Sequence, residues 1–437
     1  MSTCTHDYAS RKPVPILRTS DDLLVCNACG TQYPVTASSK KDDCKICDDP
    51  RQFVPPEGQS FTTLSKARRD GFKNVWWQDK QNPAIWSVRT EPKFAIGERA
   101  VLIQTAAGNI LWDLIPFLDQ ATVDKIASLG GLEAIVISHP HYYSTYADWS
   151  CTFSCPVYVG APDKEWLEPT AAPGVDLRLL KDIYTPVLGP DSGVTAVLAG
   201  GHFPGSLLLH WENNLFIADT IFTSPSAMNP VPGKEGAISF TFFWSIPNRI
   251  PLQPDDILII WQRVKGLEFA NAFGAFKGMD VRTMPNESAR GTGGVKGRLL
   301  ESCKIYTRAM GWKEHALFQQ TLWYQEHQRA TKHLVIASYE AQNVSWISAI
   351  PSEWTIKRYL MDDPNPEPPG LAVPLNQGRE AMAYLTYLID HYETLPEYMI
   401  FTHGHERSWH QMEPLPMKVR ALSLTALDEE NYISLRC

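Results

Sequence analysis

The stretch "SHPHYYSTYADW" (138–149) follows the apolar run "EAIVIS" (133–138), and it decides how the chain is read. Residues two apart on an extended chain point the same way. His139 and His141 therefore leave the strand end side by side, half of a metal site. The rest of a donor set lies downstream, again at the ends of short apolar runs. His202 follows "TAVLAG" (195–200) in "GGHFPGS" (200–206), where flanking glycines let backbone approach closely. Asp219 ends "NLFIAD" (214–219), and Asp113 ends "NILWD" (109–113). Three imidazoles and a carboxylate suit zinc, and the same set admits iron or manganese.

A second ligand pattern precedes this one. Cys26-x2-Cys29 and Cys44-x2-Cys47 are two knuckles separated by 14 residues, each turning two thiolates toward one centre. Four thiolates close a tetrahedral zinc site with no open position. Its role is structural, or a docking surface for a protein partner.

The chain has 437 residues, long enough for two or three domains. Hydrophobic residues make up 44% and charged residues 20%, which fits a soluble globular class. The net charge is −8 and no Lys/Arg block occurs, so nucleic acid is not an expected partner. No apolar run is long enough to span a membrane, and the first 20 residues lack a secretory core segment. The expectation is a cytoplasmic protein in which the nine cysteines are thiols or ligands.

The ordered pieces "NILWD", "SHPH", "GGHFPGS" and "FIADT" resemble the metallo-β-lactamase superfamily over about residues 95–285. The resemblance implies an αβ/βα four-layer sandwich with its metal at one edge. By position it implies His139, His141 and His202 as first-metal ligands. Asp219 matches the bridging aspartate, and Asp113 a supporting residue. The family's second metal needs an Asp–His pair just after the first histidines and a late histidine. Tyr143 and Ser144 occupy the first two places, and "NAFGAFKG" (271–278) supplies no histidine. The expectation is therefore one metal, not two. A narrower subgroup, a zinc ribbon joined to a metallo-hydrolase-like domain, matches from about residue 21 to 285. Its carriers include "CDDPRQFVPPEGQSFTTL" and "SIPNRIPL". Residues 333–437 resemble a fungal domain family of unknown function, here shortened. The carriers are "HLVIASY", "NQGREAMAYLTYLIDHYETLPEYMIFTHGH" and "NYISLRC".

Four segments follow from this reading. Residues 1–60 carry the ribbon, 61–285 the lactamase-like domain, 286–332 a helical linker, and 333–437 a small α/β unit. In the last, "GREAMAYLTYLIDHYETL" (378–395) reads as a helix with Met382, Leu385, Leu388, Ile389 and Tyr392 on one face. "THGHERSWH" offers His403, His405 and His410 as a further metal set.

The leading functional expectation is a metal-dependent hydrolase of a small carbonyl or ester-type compound. A single metal activates water and polarises a carbonyl. Without a second metal, Asp219 or Asp148 would accept the proton, and Tyr143 would donate to the developing oxyanion. One alternative is a non-catalytic metal-binding or assembly protein with a degenerate site. The other is a glycosyltransferase-like activity in residues 333–437.

Overall fold

A computed structural model describes residues 15–168, 174–228, 238–284, 287, 293–322, 331–375, 377–407 and 414–422. The chain divides into two compact units, residues 1–320 and 321–437.

The first unit is built on two sheets. One has seven strands in the order Leu177–Leu180, Val157–Gly160, Ala134–Val136, Gly108–Trp112, Arg99–Thr105, Ile85–Glu91 and Lys73–Gln78. Its first four strands pair parallel and the rest antiparallel. The other has six strands, in the order Tyr184–Pro186, Val194–Leu198, Leu207–Trp211, Asn214–Phe216, Asn271–Phe273 and Asp280–Arg282. Side-chain alternation decides what each face does. Val101, Ile103, Ile110, Trp112 and Val136 point between the sheets, where they meet Ala196, Leu198, Leu207, Leu209 and Phe216. Their neighbours Leu102, Leu111 and Ile135 point outward, against Val123 and Ile126 of helix Gln120–Ser128 and Trp149 and Phe153 of helix Tyr146–Phe153. Burial on both faces explains why these strands read as continuous apolar runs and not as alternating ones. Helix Pro254–Val264 buries Ile257, Ile260, Trp261 and Val264 and ties to the second sheet through Arg263 Nη1 and the Leu198 carbonyl. The four-layer αβ/βα sandwich is the architecture the sequence implied.

Two expected boundaries move. The ribbon does not end at residue 60: strand Phe61–Thr63 pairs antiparallel with Leu23–Cys26, completing a three-stranded sheet with Gln32–Thr36. Within the expected 286–332 linker, helix Gly294–Ala309 belongs to the first unit. The Ser302 hydroxyl accepts hydrogen bonds from the amides of Ser239 (2.9 Å) and Phe240 (3.1 Å). Short polar turns around this helix made it read as a spacer. Residues 285–286 and 288–292 of the expected joint lie outside the described residues.

The second unit is a four-stranded parallel sheet in the order Leu371–Ala372, Thr355–Leu360, Lys332–Ser338 and Tyr398–His403. Helix Glu380–Asp390 covers it through Ala383 and Tyr387, while Leu385, Ile389 and Tyr392 are exposed. Met382 and Leu388 of the expected face do pack against this core, but the buried stripe is Ala383, Thr386 and Tyr387, a small residue, a polar one and an aromatic that hydrophobicity alone does not pick out. No described helix is long and apolar enough to cross a membrane.

Candidate metal centre

Each site residue stands just beyond a strand of the sandwich. Strand Ala134–Val136 runs into Ser138 and His139, and a short 3-10 turn, Pro140–Tyr142, carries His141. Strand Val194–Leu198 leads to His202 through Gly200 and Gly201, both with positive φ. A Cβ on Gly201 would meet Ile260 Cδ1 at 2.9 Å, so the sharp approach of this loop requires glycine. Asp219 follows Asn214–Phe216. Ala218, just before it, and Asp113 also hold positive φ, at 42° and 58°. Such backbone is costly away from glycine, and two of these residues stand beside this site. The amide of Leu207 donates to the Ser138 carbonyl at 2.8 Å, which locks the two sheets together at this edge.

His139, His141, His202 and Asp219 are all buried and offer one ligand atom each, all within 4.8 Å of one another. His139 Nε2 lies 3.4 Å from Asp219 Oδ2, His202 Nε2 lies 3.4 Å from His141 Nδ1, and His141 Nδ1 lies 3.9 Å from Asp219 Oδ2. Ligands about 2.0–2.1 Å from a tetrahedral metal stand roughly 3.4 Å apart. The donor geometry therefore fits a metal. So do the orphaned atoms: His139 Nε2 and Asp219 Oδ1 are buried without a hydrogen-bond partner.

The surroundings orient these ligands. His139 Nδ1 lies 2.9 Å from Ser138 Oγ, and His202 Nδ1 lies 3.1 Å from the Phe243 carbonyl. A ring N–H donated to that carbonyl leaves Nε2 of His202 with its lone pair facing the cluster. Asp113 Oδ1 accepts from the Ser138 amide at 2.7 Å, so it fixes the histidine loop and does not ligate. Burial lowers the His139 imidazole to about 4 and depresses His202 as well, keeping both neutral at pH 7. Burial alone would raise the Asp219 carboxyl, but the His139 and His141 rings hold it well below the usual carboxylate range. Burial raises Asp113 to about 8.

The two other proposed catalytic residues are not brought to this cluster. Asp148 lies on helix Tyr146–Phe153. Its oxygens accept from the Ser20 amide (3.0 Å) and from Gln32 Nε2 (2.9 Å). It ties the N-terminal segment to the sandwich. Tyr143 packs in the core between the first sheet and its helices, and the nearby carboxylate is Asp163. Its neighbour Tyr142 is the tyrosine that faces the site. Its ring meets His139 edge-on at 4.9 Å, and its buried hydroxyl has no protein partner. The 3-10 turn Pro140–Tyr142 brings residue 142 back against His139, a reversal that alternation along an extended chain does not foretell.

Within "NAFGAFKG" (271–278), the Gly274 carbonyl accepts from Arg99 Nε (3.1 Å) and Nη2 (2.7 Å), and the same guanidinium pairs with Asp280. The four cysteines form the other cluster. Sulfur separations of 3.7 Å (Cys26–Cys47) and 3.5 Å (Cys29–Cys44) match the roughly 3.8 Å edge of a zinc–thiolate tetrahedron. Tyr33 donates its hydroxyl to Cys44 Sγ at 3.1 Å, and Gln59 Nε2 reaches Cys26 Sγ at 2.8 Å. Among the described residues these two are the metal-type clusters. His403 and His405 stand with rings 5.1 Å apart without joining one, and His410 lies outside the described residues.

Residues 334–437 match a family described as a protein of unknown function, DUF3431. Over 258 residues the chain is 36% identical to Uncharacterized protein YmaE of Bacillus subtilis (strain 168), covering 58% of this chain and 88% of that protein. Solved structures similar to it include metallo-β-lactamases. One, from Pseudomonas aeruginosa in a mono-zinc form, is 14% identical with a TM-score of 0.36, covering 54% of this chain and 96% of that one. Another, from Cronobacter sakazakii, is 17% identical with a TM-score of 0.32, covering 56% and 96%.

Proposed function

This chain belongs to the family of Bacillus subtilis YmaE, and from that footing we propose that it is a metal-dependent hydrolase of a small carbonyl or ester-type substrate with a single-metal site. The observation that carries the proposal is the buried set His139, His141, His202 and Asp219, with ligand atoms at tetrahedral spacing and the His139 and His202 imidazoles neutral at pH 7. These four residues would hold the metal, with zinc the best match to three nitrogens and one oxygen. When bound, a metal of this kind activates water and polarises a carbonyl oxygen.

The chain's own groups do the rest. Ser138 Oγ and the Phe243 carbonyl hold the His139 and His202 rings in register. Asp219 contributes Oδ2 to the ligand set and keeps Oδ1 free of protein partners, able to accept a hydrogen bond from an attacking water. The Tyr142 hydroxyl, also without a partner, takes the donor role first assigned to Tyr143. One metal in the ribbon and one at the histidines give two per chain. His202→Ala should fall to one and lose hydrolysis of esters, thioesters and lactones. A variant that keeps two metals refutes the ligand assignment. Wild type holding two metals while hydrolysing no ester, thioester, lactone or β-lactam favours the assembly reading.

A further inference from the structure

The four-cysteine ribbon touches three of the loops around the histidine site, those of Asp113, of His139 and His141, and of His202. Gly30, just after the first knuckle, packs on Pro116 of the Asp113 loop: a Cβ there would meet Pro116 Cγ at 2.3 Å. Beside it, the Gln32 amide donates to the Ser144 carbonyl at 3.2 Å, and Ser144 Oγ donates to the Gly30 carbonyl at 3.4 Å. Ser144 has a φ of 49°, so this docking point is held in costly backbone. After the second knuckle, the chain turns onto the His202 loop. The Arg51 guanidinium lies 3.7 Å above the Phe203 ring, and Nη1 is 3.5 Å from the His202 carbonyl. Asp49 grips that guanidinium with both oxygens, at 2.7 Å and 2.9 Å. The intervening Pro50 carbonyl accepts from Ser245 Oγ (2.6 Å) and Asn248 Nδ2 (2.8 Å), in the turn whose Phe243 carbonyl orients His202.

We propose that the ribbon is a working part of the histidine site, with Arg51 as a positioning residue, so that filling the four-cysteine cluster tightens metal binding at the histidines. The ribbon spans the loop carrying His139 and His141 and the loop carrying His202, which come from different sheets. It docks at Ser144, one of the places where a second-metal ligand is missing. A folded ribbon thus holds together two loops that a second metal would otherwise help to hold. The coupling rests on the histidine cluster binding a metal, and not on the reaction catalysed there. It is reciprocal: a metal at the histidines tightens the ribbon metal by the same factor.

The test is metal affinity, measured on the full chain by titration with zinc and cobalt against a competing chelator. Thiolate-bound cobalt has a near-ultraviolet band that nitrogen- and oxygen-bound cobalt lacks, so the two sites read out separately. Arg51→Ala should keep the ribbon metal and weaken the histidine metal about 10- to 100-fold, the usual effect of losing a group that orients ligands. Arg51→Lys should not rescue it, because an ammonium cannot take both Asp49 oxygens and lie flat on Phe203. Asp49→Asn, which frees the guanidinium with little change in shape, should weaken it in the same direction. Cys44→Ser should lose the ribbon metal and weaken the histidine metal at least as much as Arg51→Ala does. If the histidine metal binds Arg51→Ala and Asp49→Asn as tightly as wild type, the coupling is refuted. If wild type itself takes up only the ribbon metal, the histidine assignment falls, and the coupling with it.

Discussion

Asp148→Ala separates a structural role from a catalytic one. Wild-type Asp148 accepts two hydrogen bonds, from the Ser20 amide and from Gln32 Nε2, and it is buried. Hydrogen bonds to a charged group contribute about 1.5–3 kcal/mol each. Burial raises the Asp148 carboxyl above its usual range, and that cost offsets part of the gain. Truncation also leaves Gln32 Nε2 buried without its acceptor. The expected loss is about 2–4 kcal/mol. It should concentrate where the ties were, as faster amide exchange in the ribbon strands Leu23–Cys26 and Gln32–Thr36. Asp148→Asn keeps one acceptor and removes the buried charge, so its stability should fall within about 1 kcal/mol of wild type. The pH dependence has a definite sign. A carboxyl raised on folding makes the protein lose stability as pH rises from the ordinary carboxylate range through the folded value. Asp148→Asn should remove that component. The measurements are chemical unfolding, hydrogen exchange and metal content by emission spectroscopy. An Asp148→Ala protein that unfolds like wild type, keeps both metals and loses hydrolysis would refute the structural reading.

Two further substitutions probe buried polar groups near the site. Glu98 is fully buried with Oε2 unpartnered, and burial raises its carboxyl to about 8. Wild type should lose stability as pH rises from about 4.3 toward 8, on the order of a few kcal/mol, and Glu98→Gln should flatten that slope in pH-resolved melting. Equal slopes would show Glu98 ionised in the fold. Tyr143→Phe removes a buried hydroxyl that has no hydrogen-bond partner, so it should stabilise the protein by about 1 kcal/mol and leave hydrolysis unchanged. Loss of hydrolysis with both metals retained would return Tyr143 to the catalytic list.

The ligands were legible because their chemistry repeats a local signature. Each stands at the end of a short apolar run, and paired CxxC knuckles need no tertiary information. The sandwich was implied by the family resemblance that those ordered pieces carry. What stayed hidden depends on which way a side chain turns after a strand has ended. Alternation places His139 and His141 on one side, but the 3-10 turn at Pro140–Tyr142 breaks that period. Tyr142 then faces His139 while Tyr143 enters the core. Asp148 looked catalytic because it lies seven residues from His141. Its partners, Ser20 and Gln32, are more than 110 residues away in sequence and could not be read from the local pattern. Arg51 was passed over for the same reason, since "CDDPRQ" looks like the tail of a knuckle until Phe203 is brought beneath it.

The positions that the resemblance assigns to second-metal ligands are all engaged in other contacts. Random loss would leave Tyr143, Ser144 and Gly274 as unconnected surface. Instead Tyr143 fills the helix-side core, Ser144 receives the ribbon strand, and the Gly274 carbonyl holds the buried Arg99 that pairs with Asp280. Each vacated position carries a specific structural load. Restoring an aspartate at 143 would bury an unpaired carboxylate in an apolar cluster, and a histidine at 144 would push against the strand carrying Gln32. On the single-metal reading proposed above, placing such ligands one at a time while the ribbon stays docked should not create a second metal site. The packing at Tyr143 and Ser144 and the docked ribbon strand are parts of one arrangement.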